Sequence, residues 1–166
     1  MSVPQTFPIP TRASGRLYVM PMPDPDALHA QIAALKDTGI DHLVCLMQPD
    51  EQTVLGLSHE EAECKGQGID YTQFPIQDFG LPDGQAFLKL AAALHREITE
   101  GISVLIHCKG GIGRSGMLSS LIAAFELGDI DAAIEHVAKA RGVSVPDTED
   151  QKRFIQDLFQ TEQKRP

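Results

Sequence analysis

The residues best equipped for chemistry lie between Val104 and Ser115. An apolar run, Val104-Leu105-Ile106, ends in His107-Cys108. Lys109-Gly110-Gly111-Ile112-Gly113 follow, then Arg114-Ser115 and a helix-forming stretch. A glycine-rich turn can curl so that successive backbone N–H groups point inward and form an anion nest. A helix opening directly after it adds unpaired donors and positive partial charge. A thiol at the centre of such a cradle is set up to react as a thiolate, and it needs no general base. The Arg114 fork can grip two oxygens of one phosphate, which a lysine cannot do. The pattern predicts attack by Cys108 on a phosphoryl group held by Arg114 and the amides of Lys109, Gly110, Gly111, Ile112 and Gly113. Ser115 is expected to donate its hydroxyl to the sulfur, and His107 to order the loop through backbone hydrogen bonds. The Gly-Lys-Ser/Thr ending of nucleotide loops is absent, and the spacing does not fit the dinucleotide fingerprint.

Taken together, His-Cys-x-x-Gly-x-x-Arg-Ser resembles the signature of cysteine-dependent protein phosphatases. It is most similar to the dual-specificity branch, and within it to the cyclin-dependent-kinase-associated phosphatases, which share the Cys-x-Gly-Gly-x-Gly-Arg-Ser form of Cys108–Ser115. The likeness runs from about Gly15 to Leu158. It implies a phosphomonoester hydrolase that works through a phosphocysteine, with no metal and no cofactor.

The resemblance also carries roles onto other residues. Phe74-Pro75-Ile76-Gln77-Asp78-Phe79-Gly80 is similar to the family's mobile acid loop, which makes Asp78 the general acid. Asp83 competes for that role but is read as the N-cap of the next helix. Arg141–Gln151 is similar to the late loop that aims water at the phosphocysteine, with Gln151 as the candidate. The chain has no Trp, so the Trp-Pro-Asp loop of tyrosine-specific enzymes is absent. A shallower pocket, open to phosphotyrosine, phosphoserine and phosphothreonine, is therefore expected. Lys109 inside the loop resembles phosphatases of inositol phospholipids and keeps a phosphoinositide, or another small phosphoester, as an alternative substrate. A phosphate-reading module without catalysis is the alternative of another class, opposed by an intact Cys, Arg and acid. Sulfur transfer or arsenate reduction fits less well, because no paired redox cysteine is evident.

The 166 residues suffice for one domain with a sizeable core. A net charge of −9 argues against broad nucleic-acid or anionic-membrane binding. No apolar run approaches the roughly 18 residues of a membrane span, so no membrane insertion is expected. The first residues, Met1 to Pro8, do not read as a secretory signal. Cys45, Cys64 and Cys108 show no disulfide or zinc spacing, which suits a reducing, cytoplasmic setting. Cys45 reads as a small core hydrophobe, although in some relatives a strand cysteine protects the oxidised nucleophile by a disulfide. Cys64 is placed on a helix surface, and His59, Glu60 and Glu61 are read as solvated helix residues rather than metal ligands.

These groups require elements to position them. Residues 1–14 are expected to form a flexible N-terminal tail and 15–166 a single phosphatase domain. Strands are predicted at 16–20, 41–46, 69–74 and 103–107. Helices are predicted at 26–36, from a capping box at Ser58 onward, and at 86–100, 113–126, 131–140 and 147–160. Alternating strands and helices imply an α/β fold, a central and largely parallel sheet flanked by helices. In such sheets ligands bind outside the carboxyl ends of strands, where Cys108 falls.

Overall fold

The computed structural model describes residues 3–166; Met1 and Ser2, the start of the expected tail, lie outside the described residues. Five strands, β1 (Phe7–Ile9), β2 (Leu17–Met20), β3 (His42–Cys45), β4 (Asp70–Gln73) and β5 (Val104–His107), form one sheet in the order β1-β2-β5-β3-β4. β2, β5, β3 and β4 run parallel, and β1 pairs antiparallel with β2 at the edge. The sheet is thus mixed, with a parallel core of four strands. Strands β2, β3 and β5 are buried at every position, as parallel strands covered on both faces must be.

Helices cover both faces. On one side α1 (Leu28–Thr38) and α3 (Glu60–Gly66) lie over Met20, Leu43, Cys45 and Leu105. On the other, α4 (Gly84–Thr99), α5 (Arg114–Leu127), α6 (Ile130–Arg141) and α7 (Glu149–Gln163) lie over Val19, Val44, Val104 and Ile106. The helix after β2 goes to one face and the helix after β5 to the other. The sheet therefore opens a crevice between the ends of β2 and β5, the switch point where parallel sheets bind ligands. α5 is buried from Arg114 through Ala124, which explains why its sequence is apolar or small on all sides. Asp83 caps α4, its carboxylate accepting from the Ala86 N–H at 2.9 Å, as expected.

Four expectations need correction. Phe7–Ile9, inside the stretch read as a flexible tail, is a strand whose Ile9 is 2% exposed. Pro8 disguised it, but a proline without an N–H is tolerated on an edge strand. A short helix, α2 (Pro49–Val54), was not foreseen; six residues are too few for a helical period to show. Ser58 does not cap α3, whose N-cap is His59 with no side-chain hydrogen bond. Cys64 faces the core rather than the surface and is fully buried beside the residues of α1, where burial pushes its thiol pKa up.

The strand status of β1 has a measurable consequence. Ile9→Ala should cost about 2–4 kcal/mol in urea denaturation, the usual range for truncating a buried Ile. A loss below roughly 0.5 kcal/mol, ordinary for an exposed position, would return the segment to a free tail.

Candidate active site

β5 carries the chain into Cys108 at the mouth of the crevice, and the loop 109–113 turns back into α5. Cys108 is 2% exposed and belongs to the core on the α5 side of the sheet. Two glycines of the loop are demanded by geometry. Gly111 has φ 69°, and a Cβ on it would come within 2.6 Å of the Met20 carbonyl carbon and the Pro21 nitrogen. The loop thus lies directly on the end of β2, where the Met22 N–H donates to the Lys109 carbonyl at 3.0 Å. Gly113 is not in a left-handed conformation; a Cβ there would collide with the carboxylate of Asp147.

Arg114 is a buried charge, with its side chain 1% exposed. Its two terminal nitrogens donate to both carboxylate oxygens of Glu51 on α2, at 2.8 and 2.9 Å. Nη1 also donates to the Ile76 carbonyl at 2.9 Å, and Nη2 lies 3.1 Å from Asp78 Oδ1. Burial alone would disfavour the charged guanidinium, but Glu51, Cys108 and Asp78 raise its pKa. In turn the hydrogen bonds from Arg114 hold the Glu51 carboxyl below its ordinary value. Two buried polar atoms, Arg114 Nε and Ser115 Oγ, have no partner within the described protein. Such atoms normally find one, which marks a place a ligand completes. The bond expected from Ser115 to the sulfur is accordingly not made.

Beneath the loop lies a second buried charge. His107 points its Nδ1 at the Cys108 carbonyl, 3.1 Å away, and its Nε2 at Glu60 Oε2, 2.6 Å away. Both side chains are 0% exposed. Burial would favour neutral imidazole, yet Glu60 and Cys45 raise its pKa well above the ordinary value. An imidazolium then donates from both nitrogens, so His107 orders the loop through the Cys108 carbonyl. Glu60, read from sequence as solvated, is fully buried because it balances this charge. Its other oxygen accepts from Gln52 and Tyr71, both at 3.1 Å. Cys45, Glu60 and His107 place their ligand atoms within 4.8 Å of one another. The carboxylate oxygens are already engaged by His107, Tyr71 and Gln52, so the cluster is a hydrogen-bonded network rather than an open metal site. Cys45 projects to the α1 side of the sheet and Cys108 to the α5 side, which is the wrong arrangement for a protective disulfide.

The remaining residues named from sequence gather here as well. Lys109 is exposed at the rim. Asp78 is 39% exposed, in a turn closed by the Gly80 N–H donating to the Gln77 carbonyl at 2.8 Å. Gln151 is fully buried rather than a surface helix residue. Four contributors escaped sequence reading: Glu51, Glu60, Asp147 and Arg141. Arg141 donates to the Gly111 and Gly110 carbonyls at 3.0 and 3.2 Å while its guanidinium stacks on Phe7, 3.9 Å from the ring centre. The Gln48-Pro49-Asp50-Glu51 segment did hold a signal for Glu51, since Pro49 suits the first turn of a helix and Gln48 with Glu51 three places on makes a capping box.

Comparison with known proteins agrees with this fold. Residues 14–157 match a family model described as "PTP-SAK: Swiss Army Knife protein, DSP-PTPase phosphatase domain". A kinase-associated phosphatase (KAP), its catalytic-site cysteine replaced by serine, superposes with a TM-score of 0.89 at 18% identity, covering 100% of this chain and 99% of that one. The active form of Tk-PTP superposes with a TM-score of 0.73 at 27% identity, covering 88% and 92% of the two chains. An uncharacterised protein of Methanocaldococcus jannaschii is 26% identical over 85 residues, 51% of this chain and 56% of that protein. The chain thus matches little more than half the length of this curated relative.

The pair under the loop makes a testable prediction. Glu60→Ala leaves a buried imidazolium unpaired and should cost about 3–5 kcal/mol in denaturant unfolding. Because the folded pKa of His107 is raised, the pair stabilises fully below an unfolded histidine's pKa of about 6.5. That contribution is lost as pH rises through the folded value. The stability gap between wild type and Glu60→Gln should therefore be widest in mild acid and narrow in alkali. A gap that widens with pH would contradict the assignment.

Proposed function

The chain belongs to the DSP-PTPase phosphatase domain family, and from that premise we propose that it hydrolyses phosphomonoesters on proteins through a phosphocysteine formed on Cys108. One observation carries the reading: Arg114, buried and clamped by Glu51, sits on the loop of Cys108 with Asp78 against it. Cys108 Sγ attacks phosphorus in line, a sulfur–phosphorus bond forms, and the ester oxygen leaves with a proton from Asp78. Arg114 and the amides of residues 109–113 hold the three equatorial oxygens as charge spreads over them. Water then attacks the phosphocysteine and gives its proton to Asp78. Phosphate leaves, and the electron pair of the broken bond returns to sulfur. Each step balances with thiolate, carboxyl and water, and requires no metal or cofactor.

The mouth of the site supports a phosphoprotein or phosphopeptide as substrate. Lys109 there stands among Asp50, Glu51 and Asp78. A polyphosphorylated inositol headgroup would bring several negative charges to those carboxylates, whereas a single phosphoester brings one to the buried loop. Val54 beside the mouth, and Phe79 and Leu81 on the acid loop, are exposed apolar groups suited to a peptide. The assembled Cys, Arg and carboxyl favour catalysis over a binding-only module. The three cysteines are free, and among the described residues no helix is long and apolar enough to cross a membrane. Both support action in a reducing, cytoplasmic compartment.

A substrate panel tests this. Phosphotyrosine and phosphoserine peptides, an aryl phosphate and phosphoinositide vesicles should be assayed in parallel for phosphate release. Cys108→Ser should abolish turnover on all of them while still binding phosphopeptide. Asp78→Ala should lower kcat by about 10²–10⁴-fold, the range of general acid catalysis, with KM changed far less. Substantial turnover by Cys108→Ser would refute the mechanism, and preferred hydrolysis of the vesicles would move the substrate to lipid.

A further inference from the structure

Building on the phosphocysteine reading, we propose that Asp147 holds the attacking water in the second half-reaction, and that Gln151 is a positioning residue for the loop bearing Asp147. Of the late loop's polar side chains, Asp147 and Gln151 both approach Gly113, and the structure spends them differently. Gln151 is fully buried, and its oxygen accepts from the Asp147 and Thr148 N–H groups at 3.1 and 3.3 Å. Those two bonds fill both lone pairs of an amide oxygen. Its nitrogen donates to the Gly80 carbonyl at 3.3 Å, which ties the late loop to the acid loop. Little of Gln151 is left to direct a water.

Asp147 is the complement. It is exposed, and its carboxylate makes no hydrogen bond or ion pair with a described residue. That carboxylate rests on the phosphate loop, over the Gly113 Cα where no Cβ could fit. It lies close enough to Asp78 and Arg114 to feel both charges. Burial and the negative charge of Asp78 raise its pKa, while Arg114 works the other way. Asp147 beside Gly113 and Asp78 beside Arg114 thus bring two carboxylates to the same loop. A water between them offers one hydrogen to Asp78 and the other to Asp147, leaving a lone pair for phosphorus. As the oxygen–phosphorus bond forms, the first proton passes to Asp78 and the sulfur–phosphorus electrons return to Cys108. The second hydrogen stays on the product oxygen, so Asp147 aims the water and takes no net proton.

The two half-reactions separate in rapid-mixing assays with an aryl phosphate, where aryl alcohol release reports the first step alone. In Asp147→Ala the first turnover should keep its rate within about threefold. Steady-state turnover should fall by about 10²-fold, at the lower end of what a positioned acid–base partner contributes. A burst of one aryl alcohol per enzyme should appear, and acid quenching should capture phosphocysteine, detectable by mass. Asp147→Asn keeps an acceptor and should recover part of the steady-state rate. Gln151→Ala should slow both steps and lower Tm, without a burst. A burst in Gln151→Ala, or equal slowing of both steps in a folded Asp147→Ala, would overturn the assignment. Were wild type to release no aryl alcohol at all, the phosphocysteine reading itself would fall, which no Asp147 result can mimic.

Discussion

A guanidinium taken out of water must be given counter-charges or the fold cannot bear it. Arg114 is 1% exposed, and three separate parts of the chain meet there. Glu51 comes from α2, the Ile76 carbonyl and Asp78 from the segment after β4, and Arg114 itself from the first turn of α5. The same bonds that solvate the cation lay the acid loop against the nucleophile loop. In the proposed mechanism, phosphate recognition and placement of the acid are therefore one structural event, not two.

A second buried charge lies below the first and is served by the same short helix. Glu51 and Gln52 are neighbours on α2, so their side chains leave it about 100° apart. Glu51 turns to Arg114, and Gln52 turns to Glu60, the partner of His107. α2 thereby links the charge of Arg114 to the one that sets the backbone at Cys108. From the other side of the sheet, Arg141 braces the Gly110 and Gly111 carbonyls and stacks on Phe7. The edge strand that looked like a tail thus helps to hold the phosphate loop.

The strands add a constraint of parity. Side chains alternate between faces, so the pairing of Cys45 with His107 puts both on the α1 side. Cys108, one residue on, points to the α5 side. The strand register therefore separates Cys108 from Cys45, and gives Cys45 to the buried network instead.

What sequence alone determined was local: a strand, a turn and a helix whose order places a thiol, amides and a guanidinium around one point. Cys108, the loop, Arg114 and the Asp78 segment were legible because their chemistry lies within a few consecutive residues. So was the parallel sheet, since alternating apolar runs and helical periods are themselves local. Tertiary structure decided the counter-charges. Glu51 lies 63 positions from Arg114 and Glu60 lies 47 from His107, and an acidic residue on a short helix looks solvated until its partner is known. It also set the surroundings of Asp147 and Gln151, because which one is consumed by backbone bonds depends on where the late loop meets Gly80 and Gly113. Burial and pairing are properties of the folded chain, and a pattern of residue types does not contain them.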